Sequence, residues 1–346
     1  MNKSRTARRQ HGAAILLALL IMTLVATLAA GMVWLQWRGI EVESAERART
    51  QGDWLLNASL DWGNLILKSS IRNGDKEDDL GQPWATPLAE TKLSSFLSAD
   101  GSHSEDGGPE AYLSGQITDA TSKYNLYNLV IASDGTTIGK TTEIQRLQIL
   151  CAAIGVSSDV ASTIAAGMRA SYSAQQQIVA TPGDVDSTNS ILMPIQVADL
   201  AWYGIDPKVV KQLEPFVQII PFTGTQPLPI NANTAPAEVL MAAYGAAPPL
   251  SRAQAAQLIL HRQQQPFDGT PAILAAISVQ RGGGDDSKFP PGTPKNILVA
   301  TSQYFEIYGQ LRYEQHVIRE RSVVYRKDQF TPVQVLRRER IPPDAT

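Results

Sequence analysis

The chain has 346 residues, of which 43% are hydrophobic, so it is long enough to bury one large core or two to three small ones. Its formal net charge of -3 provides no overall excess of cations for nucleic-acid phosphates, which argues against nucleic acid as a partner. The single cysteine, Cys151, excludes an intrachain disulfide and a cysteine-rich metal site, and its apolar neighbours predict that it is buried.

The N-terminus begins with a basic segment and continues into a long apolar one. Residues 1–12 contain four cations and no acid, and residues 13–37 contain no ionisable side chain. At about 1.5 Å of helical rise per residue, the apolar segment spans roughly 37 Å, which is enough to cross a bilayer. Because the cations precede this span, the positive-inside rule predicts a cytoplasmic N-terminus and, in a Gram-negative cell, a periplasmic head.

The junction between these two segments predicts proteolytic processing. Gly12 ends the basic segment and Ala13 begins the apolar one, whereas a secretory signal is cleaved after a shorter apolar stretch. The arrangement resembles the type III leader that prepilin peptidase removes. The resemblance implies cleavage after Gly12 and methylation of the new N-terminus at Ala13, and an uncleaved signal anchor is the alternative.

The apolar helix is predicted to continue beyond the membrane. Residues 38–72 contain no proline and carry apolar residues at three- and four-residue steps, so one helix from about 13 to 72 is expected. Its exposed apolar stripe is predicted to be covered by partner proteins at Leu55, Leu56, Trp62 and Ile66. Residues 73–110 are predicted to form a long polar loop.

Strands are predicted at both ends of the remaining sequence, with helices between them. Residues 304–313 alternate between two faces, which indicates a half-buried strand. The other predicted strands are 110–118, 316–326 and 330–338. The helix-start signals between the strands are Thr142, Asp206-Pro207, the capping box of Ser251 and Gln254, and Thr270-Pro271.

This order predicts an α+β fold in which a helical block interrupts an antiparallel sheet. The helical block is expected to form two small helix-hairpin bundles. The predicted divisions are a leader (1–12), a transmembrane helix (13–37), a periplasmic continuation of the stem helix (38–72), a β-sheet domain (73–119 and 297–338), two helical subdomains (120–222 and 223–281), a linker (282–296) and a tail (339–346).

Several motifs follow one another in an order that is typical of one family. They are Leu113-Ser114-Gly115-Gln116-Ile117-Thr118-Asp119, Lys123-Tyr124-Asn125-Leu126-Tyr127-Asn128-Leu129-Val130, Pro229-Ile230-Asn231-Ala232-Asn233-Thr234-Ala235-Pro236, Arg262 to Phe267, and Ser302-Gln303-Tyr304-Phe305. With the leader and the stem, they resemble the general secretion pathway protein K family, the large minor pseudopilins of the type II secretion system. The asparagines are the most specific part, and they favour left-handed turns where a strand leads into a helix.

This resemblance implies a fold and a cellular role. The fold is a long N-terminal helix and a pseudopilin antiparallel sheet with an inserted all-α domain of two SAM-like helix-hairpin bundles. The role is that of a non-enzymatic inner-membrane subunit that caps the tip of the periplasmic pseudopilus and supports protein export across the outer membrane. The implied partners are the minor pseudopilins I and J, the major pseudopilus subunit, prepilin peptidase and the inner-membrane secretion platform.

Most pseudopilins carry a glutamate five residues into the mature chain, and the resemblance places Leu17 at that position. A carboxylate in the bilayer is costly unless it meets a cation, such as the N-terminal amine of a neighbouring subunit. A subunit at the tip has no neighbour above it, so the apolar Leu17 agrees with a tip position. In an uncleaved anchor, Leu17 would be an ordinary lipid-facing residue.

The resemblance also implies calcium in the helical domain, where clustered oxygen ligands would be needed. The candidate ligands are Asp184, Asp186 and Asn189, and a second acidic cluster lies between Asp75 and Asp79. Neither cluster completes an EF-hand loop, and the family's acidic stretch before its third helix is replaced here by residues 188–194. A solvated acidic loop is the alternative at both places.

Two other functional classes stay open at this point. A minor pilin of a type IV pilus or competence system would share the architecture, and a periplasmic enzyme could use the same anchor. The sequence has no histidine motif with metal or nucleophile spacing, which argues against the enzyme. The helix pair at 235–262 is similar to helix-hairpin-helix DNA binders, but two prolines remove backbone donors from its turn, so it is predicted to be a packing module.

Overall fold

The structure is a computed structural model of the chain. It describes residues 11–72, 77–92, 111–131, 137–180, 192–222, 226–245, 249–280, 296–313, 316–328 and 330–342. The chain divides into two compact units, Met1–Asn57 and Ala58–Thr346.

The described residues contain eight α-helices. They are α1 (His11–Arg72), α2 (Asn128–Ile131), α3 (Thr137–Ala153), α4 (Ser158–Ala180), α5 (Pro207–Leu213), α6 (Ala237–Ala242), α7 (Arg252–Gln264) and α8 (Thr270–Gln280). The long N-terminal helix predicted from the sequence is confirmed by α1.

Nine β-strands lie in the same residues. They are β1 (Leu88–Lys92), β2 (Ala111–Asp119), β3 (Tyr124–Asn125), β4 (Val217–Gln218), β5 (Ile230–Asn231), β6 (Leu298–Val299), β7 (Tyr304–Tyr313), β8 (His316–Tyr325) and β9 (Gln334–Ile341). Five of them form an antiparallel sheet, in the order β1-β2-β7-β8-β9, which confirms the four predicted strands and adds β1. Because β1 pairs with β2, the prediction of one long loop over residues 73–110 is wrong at Leu88–Lys92. β9 continues to Ile341 because it pairs with β8 as far as Arg319, so the predicted end at 338 and the tail from 339 are wrong.

One face of this sheet packs against the C-terminal part of α1. Leu60 and Leu67 lie two helical turns apart and are buried against Phe305, Ile307 and other sheet residues. The alternation predicted for β7 is confirmed, since Phe305 and Ile307 share this face. Full burial of each such side chain contributes about 1.5–3 kcal/mol.

The predicted apolar stripe on the stem is partly covered within the chain itself. Ile66 is partly buried against the core beneath α1. The prediction that partners cover this residue is therefore wrong in part, because the chain's own packing already shields some of its side chain from water. Trp62, at 42%, is still exposed.

The opposite face of the sheet packs against the helical insert. Tyr304 of β7 and Val323 of β8 form a small core with Ala120 and Ile220. β2 and β7 are neighbours, and Asp119 lies opposite Phe305 in their register. The insert therefore leaves the sheet at the end of β2 and returns at the start of β7, in the place of a hairpin turn.

The insert has one continuous core rather than the two predicted bundles. Leu147 and Ile164 of the first predicted subdomain belong to the same buried cluster as Leu240 and Ile277 of the second. A larger shared core removes more apolar surface from water than two small ones would. The insert is also not entirely helical, since β3 pairs with β4 and β5 with β6 in short parallel ladders.

Cys151 lies within this core, as predicted. Burial raises the pKa of its thiol to about 11, because the charged thiolate is poorly solvated there. The residue therefore serves as a small apolar side chain.

Local capping signals located three helix starts correctly and one wrongly. Asp206 caps α5 by accepting a hydrogen bond from the Lys208 N–H, the predicted capping box begins α7, and α8 begins at Thr270. Thr142, however, lies inside α3, which begins at Thr137. Threonine is tolerated inside helices when tertiary packing favours it, so its capping preference alone was misleading.

Three of the motif asparagines join distant segments of the insert. Each side-chain amide both donates to and accepts from the backbone of one residue: Asn125 pairs with Ile220, Asn128 with Leu228 and Asn233 with Phe267, over 2.8–3.1 Å. In each pair the side-chain amide makes the two hydrogen bonds that a paired residue makes in an antiparallel sheet. The buried backbone groups outside regular structure are thereby satisfied.

The asparagines lie where strands lead into helices, as predicted, but the expected left-handed backbone is wrong for two of them. Asn125 lies in β3 and Asn231 in β5, so both are extended. An extended backbone lets the side chain reach a neighbouring segment.

We predict that Asn233→Ala lowers the free energy of unfolding by roughly 2–4 kcal/mol, because the buried N–H and C=O of Phe267 both lose their partner. Thermal unfolding of the purified full chain, followed by circular dichroism, is the measurement. Gln263→Ala, which removes an exposed amide from α7, is the control. Equal midpoints for the two variants would show that the Asn233 pair contributes little.

Candidate functional site

The first candidate site is the apolar N-terminal part of α1. Every residue from 13 to 37 is exposed, and within the described part of the chain α1 is the one helix long and apolar enough to cross a membrane. A continuous apolar surface of this size needs lipid or an apolar partner around it. The geometry is that of a membrane anchor.

The predicted processing residues lie at the beginning of this helix. Gly12 and Ala13 lie in the first turn of α1, and Leu17, which is 61% exposed, follows one turn later. The four leader cations, Lys3, Arg5, Arg8 and Arg9, lie outside the described residues. Cleavage after Gly12 stays a prediction.

The predicted calcium ligands Asp184, Asp186 and Asn189 lie outside the described residues, and calcium binding there stays a prediction. Within the ranges that the structure describes, no group of three or more His, Cys, Asp or Glu side chains could hold a metal ion. In the second acidic cluster, Asp78 is buried and paired with Arg326, so the interpretation of this residue as part of a solvated loop is wrong.

The second candidate site is a buried cluster that we call the polar junction, formed by Asp78, Asp119, Asn231, Ser302 and Arg326. These five residues come from five separate segments of the chain, and each is at most 5% exposed. Their side chains meet where α1, the sheet and the insert come together. The junction is therefore the point from which the head is organised.

Asp119 is the acceptor on the side of the insert. At the end of β2 it caps a 3-10 helix (Ala120–Ser122) by accepting from the N–H and hydroxyl of Thr121, at 2.8 and 2.7 Å. Its other oxygen accepts from the amide of Asn231 at 2.9 Å, and from the hydroxyls of Thr234 and Ser302. Five donors balance the cost of burying this carboxylate.

Asp78 is the acceptor on the side of α1. Both of its oxygens lie 2.7 Å from Nη2 of Arg326, and the Ser302 N–H donates to it at 2.7 Å. Burial raises the pKa of the Asp78 carboxyl, and the attraction of Arg326 opposes this rise. The pair thus fixes the position of the segment after α1 more than it adds net stability.

Arg326 connects this carboxylate to the end of the stem helix. Its Nη1 donates to the Leu67 carbonyl at 3.0 Å and to the Ser70 hydroxyl at 2.8 Å, close to the C-terminus of α1. A cation is favourable there because of the helix dipole. Its guanidinium carbon lies 4.5 Å from the ring centroid of Phe305, which covers its remaining face.

A neighbouring cation stabilises the segment that contains the asparagine motif. Nη1 of Arg262, in α7, donates to the carbonyls of Ala232 and Ala235 at 2.6 and 2.7 Å. Burial lowers the pKa of this guanidinium to about 10. The motif around Asn231 is thus held by Asp119 on one side and by Arg262 on the other.

Sequence reasoning found part of this junction and missed its central pair. Asp119, Asn231 and Ser302 all belong to the motifs that carry the family resemblance. Asp78 and Arg326 are 248 positions apart, and no local pattern joins them. The one signal in the sequence that could have indicated the role of Arg326 is its position directly after the strand β8.

Comparison with known proteins agrees with these features. The family described as "Type II secretion system (T2SS), protein K" matches residues 230–289, which include the asparagine motif and Arg262. The chain is 25% identical to the type II secretion system protein K of Pectobacterium carotovorum subsp. carotovorum, over 96% of each chain. It is 24% identical to that of Pseudomonas aeruginosa, over 68% of this chain and 69% of the other.

The fold is also similar to a solved structure. This is the crystal structure of the GspK-GspI-GspJ complex from the enterotoxigenic Escherichia coli type 2 secretion system, with a TM-score of 0.61 and 17% sequence identity. The match covers 86% of this chain and 98% of that chain. At this identity the likeness shows a shared fold.

We predict that Arg326→Met destabilises the head by about 3–5 kcal/mol, because it leaves the buried Asp78 carboxylate without its cation. Chemical denaturation of the full chain in detergent measures the change. Arg47→Met, which breaks an ion pair that is 74% and 62% exposed, is the matched control and should unfold like the unmodified chain. Identical unfolding curves for the two variants would contradict the assigned role of Arg326.

Proposed function

We propose that the chain is a member of the type II secretion system protein K family and that it caps the tip of the periplasmic pseudopilus as a minor pseudopilin. The observation that carries the proposal is the exposed apolar helix of residues 13–37, which continues in α1 into the head. A chain of this kind acts by assembly in and above a membrane, so the proposed role is non-enzymatic.

The proposed partners are the minor pseudopilins I and J of the same secretion system. Support comes from the solved structure with the same fold, which is a complex of GspK with GspI and GspJ. The helical insert occupies the sheet face opposite α1. If every subunit along a packed filament carried such an insert, each neighbour would have to make room for it. A single copy at the end of the filament avoids this crowding.

The proposed location is the inner membrane of a Gram-negative cell. The leader cations would hold the N-terminus in the cytoplasm, and the head would lie in the periplasm. There the chain would also meet prepilin peptidase, the major pseudopilus subunit and the secretion platform.

Leu17 supports the tip position within this proposal. A glutamate there would place a carboxylate in the bilayer, at a cost of about 2.5–3.5 kcal/mol on insertion scales. A neighbouring subunit's amine offsets this cost in the body of a filament. A tip subunit lacks that neighbour, and an apolar residue avoids the cost.

We predict that the full chain, co-expressed with minor pseudopilins I and J and extracted in detergent, forms a complex with one copy of each. Size-exclusion chromatography with light scattering gives the stoichiometry. Filaments of this chain alone, or no association at micromolar concentration, would contradict the tip assignment and favour a type IV minor pilin.

We also predict that prepilin peptidase removes residues 1–12, because Gly12 directly precedes the apolar segment. The intact mass of membrane-extracted protein should correspond to a chain that begins with methylated Ala13. Gly12→Val should block cleavage, since it adds a branched side chain at the cleavage site, whereas Gly31→Val, farther along the helix, should be processed. An unprocessed Met1 form in cells that contain the peptidase would refute this prediction.

A further inference from the structure

A small cavity of about 30 Å³ lies where the insert meets the sheet. It is lined by β4 and residues 197–198 on the side of the insert, and by residues of β7, β8 and β9 on the side of the sheet. All of these belong to the second compact unit. A volume of roughly 10–15 Å³ is enough for one water molecule, so this cavity has room for one small ion and excludes larger ligands.

Two buried N–H groups of residues that line this cavity have no partner among the described residues. Gln218 of β4 is 5% exposed, and its Nε2 makes no hydrogen bond there. Nε of Arg337 in β9 is buried in the same condition, and it lies 3.8 Å from Oε2 of Glu339, which is too far for a hydrogen bond. Both nitrogens can only donate, and a buried donor without an acceptor is destabilising.

Other bonds of the same two residues hold these donors in place. The carbonyl of Gln218 accepts from the Leu126 N–H at 2.8 Å, in the short ladder between β3 and β4. Nη1 of Arg337 donates to the carbonyl of Ile195, so its guanidinium already connects β9 to the insert. Donors that are fixed before a ligand arrives lose little conformational entropy when it binds.

The charged side chains that line the cavity carry one positive charge in excess. They are Lys123, Arg321 and Arg337, against Glu214 and Glu306. Both carboxylates lie beside a cation, since Nζ of Lys123 is 3.3 Å from Glu306 and Nη1 of Arg321 is 3.6 Å from Glu214. The side chain of Glu214 is also 51% exposed, so water and salt screen its charge.

A third carboxylate, that of Glu339, balances the charge of this cluster from outside the lining. Its Oε1 accepts from Nε of Arg321. Because Glu339 is held on the far side of that cation, the positive side of the cluster faces the cavity.

These features together select a small anion. At Gln218 and Arg337 a cation would meet only donors. A water molecule brings two hydrogens that need acceptors, whereas every buried side-chain acceptor of the described lining already has a partner. A halide accepts from several donors and donates nothing, and sulfate and phosphate are too large for the cavity.

We propose that this cavity binds one chloride ion, held by the side-chain N–H groups of Gln218 and Arg337 and by the nearby charge of Lys123. Since Gln218 belongs to the insert and Arg337 to the sheet, the ion fixes how these two parts pack together. Salt in general weakens ion pairs such as Lys123–Glu306, so stabilisation by chloride is distinct from an effect of ionic strength. This inference does not depend on the proposed function.

The test is thermal unfolding of the full chain in a non-ionic detergent, in sodium chloride and in sodium gluconate at equal ionic strength. Gluconate is too large for the cavity. Chloride at about ten times its dissociation constant should raise the unfolding midpoint by about 2–4 °C, and bromide should do the same. Gln218→Met keeps the length of the side chain but removes the donor, so it should lose this difference. Gln212→Met, the same change at an exposed position of α5, should keep it.

Chlorine nuclear magnetic resonance measures the binding directly, because a bound ion broadens the chloride line. A chloride effect in the unmodified chain and in Gln212→Met, and none in Gln218→Met, supports the site. Equal midpoints in both salts, with an unbroadened chloride line, would show that the cavity holds water only and would overturn the proposal. An effect that persists in Gln218→Met would place the ion elsewhere and overturn it as well. If Gln218→Met does not fold, Gln218→Glu, which puts a repelling carboxylate in place of the donor, is read in the same way.

Discussion

Two buried carboxylates, Asp78 and Asp119, have to be supplied with donors wherever α1, the sheet and the insert meet. An ionised carboxylate without partners is too costly to bury, so the segments that carry its donors must come together before the head is stable. Asp119 gathers donors from the start of the insert, from the asparagine motif and from Ser302. Asp78 gathers Arg326 and the same serine. Ser302 thus links the two carboxylates, and the remaining contacts of the head are built around that link.

The polar junction connects the two faces of the sheet, one of which packs against α1 and the other against the insert. On one face, α1 ends beneath Arg326, which bonds its last turns and thereby fixes how the stem joins the sheet. On the other face, Asp119 and Asn231 hold the insert. Because the stem and the insert are attached through the same few groups, a change in one carboxylate affects both. A buried hydrogen-bonded network of this kind favours a single arrangement of the segments that it joins.

What the sequence predicted correctly depended on local physics. β7 was predicted to the residue because its alternation spans ten positions, and the cap of α5 depends on Asp206 and its immediate neighbours. The single core of the insert was not predicted, since nothing local shows that Leu147 and Leu240 belong to one cluster. For the same reason, Asp78 resembled a loop residue until Arg326, 248 positions away, was placed beside it. Asn231 was singled out by its motif, but its partners come from three other segments.

The place of the insert shows why so large an addition leaves the sheet intact. Residues 120–303 connect two strands that are direct neighbours, so the ends of the insert lie about one strand spacing apart. The entropy cost of closing a loop grows only slowly with the length of the loop. Hydrogen bonds between the two ends of the insert help to offset this cost. Asp119 accepts a hydrogen bond from the Ser302 hydroxyl across the base of the insert, over a sequence separation of 183. The insert therefore replaces a hairpin turn between β2 and β7, and it carries its own core while α1 packs on the opposite face of the sheet.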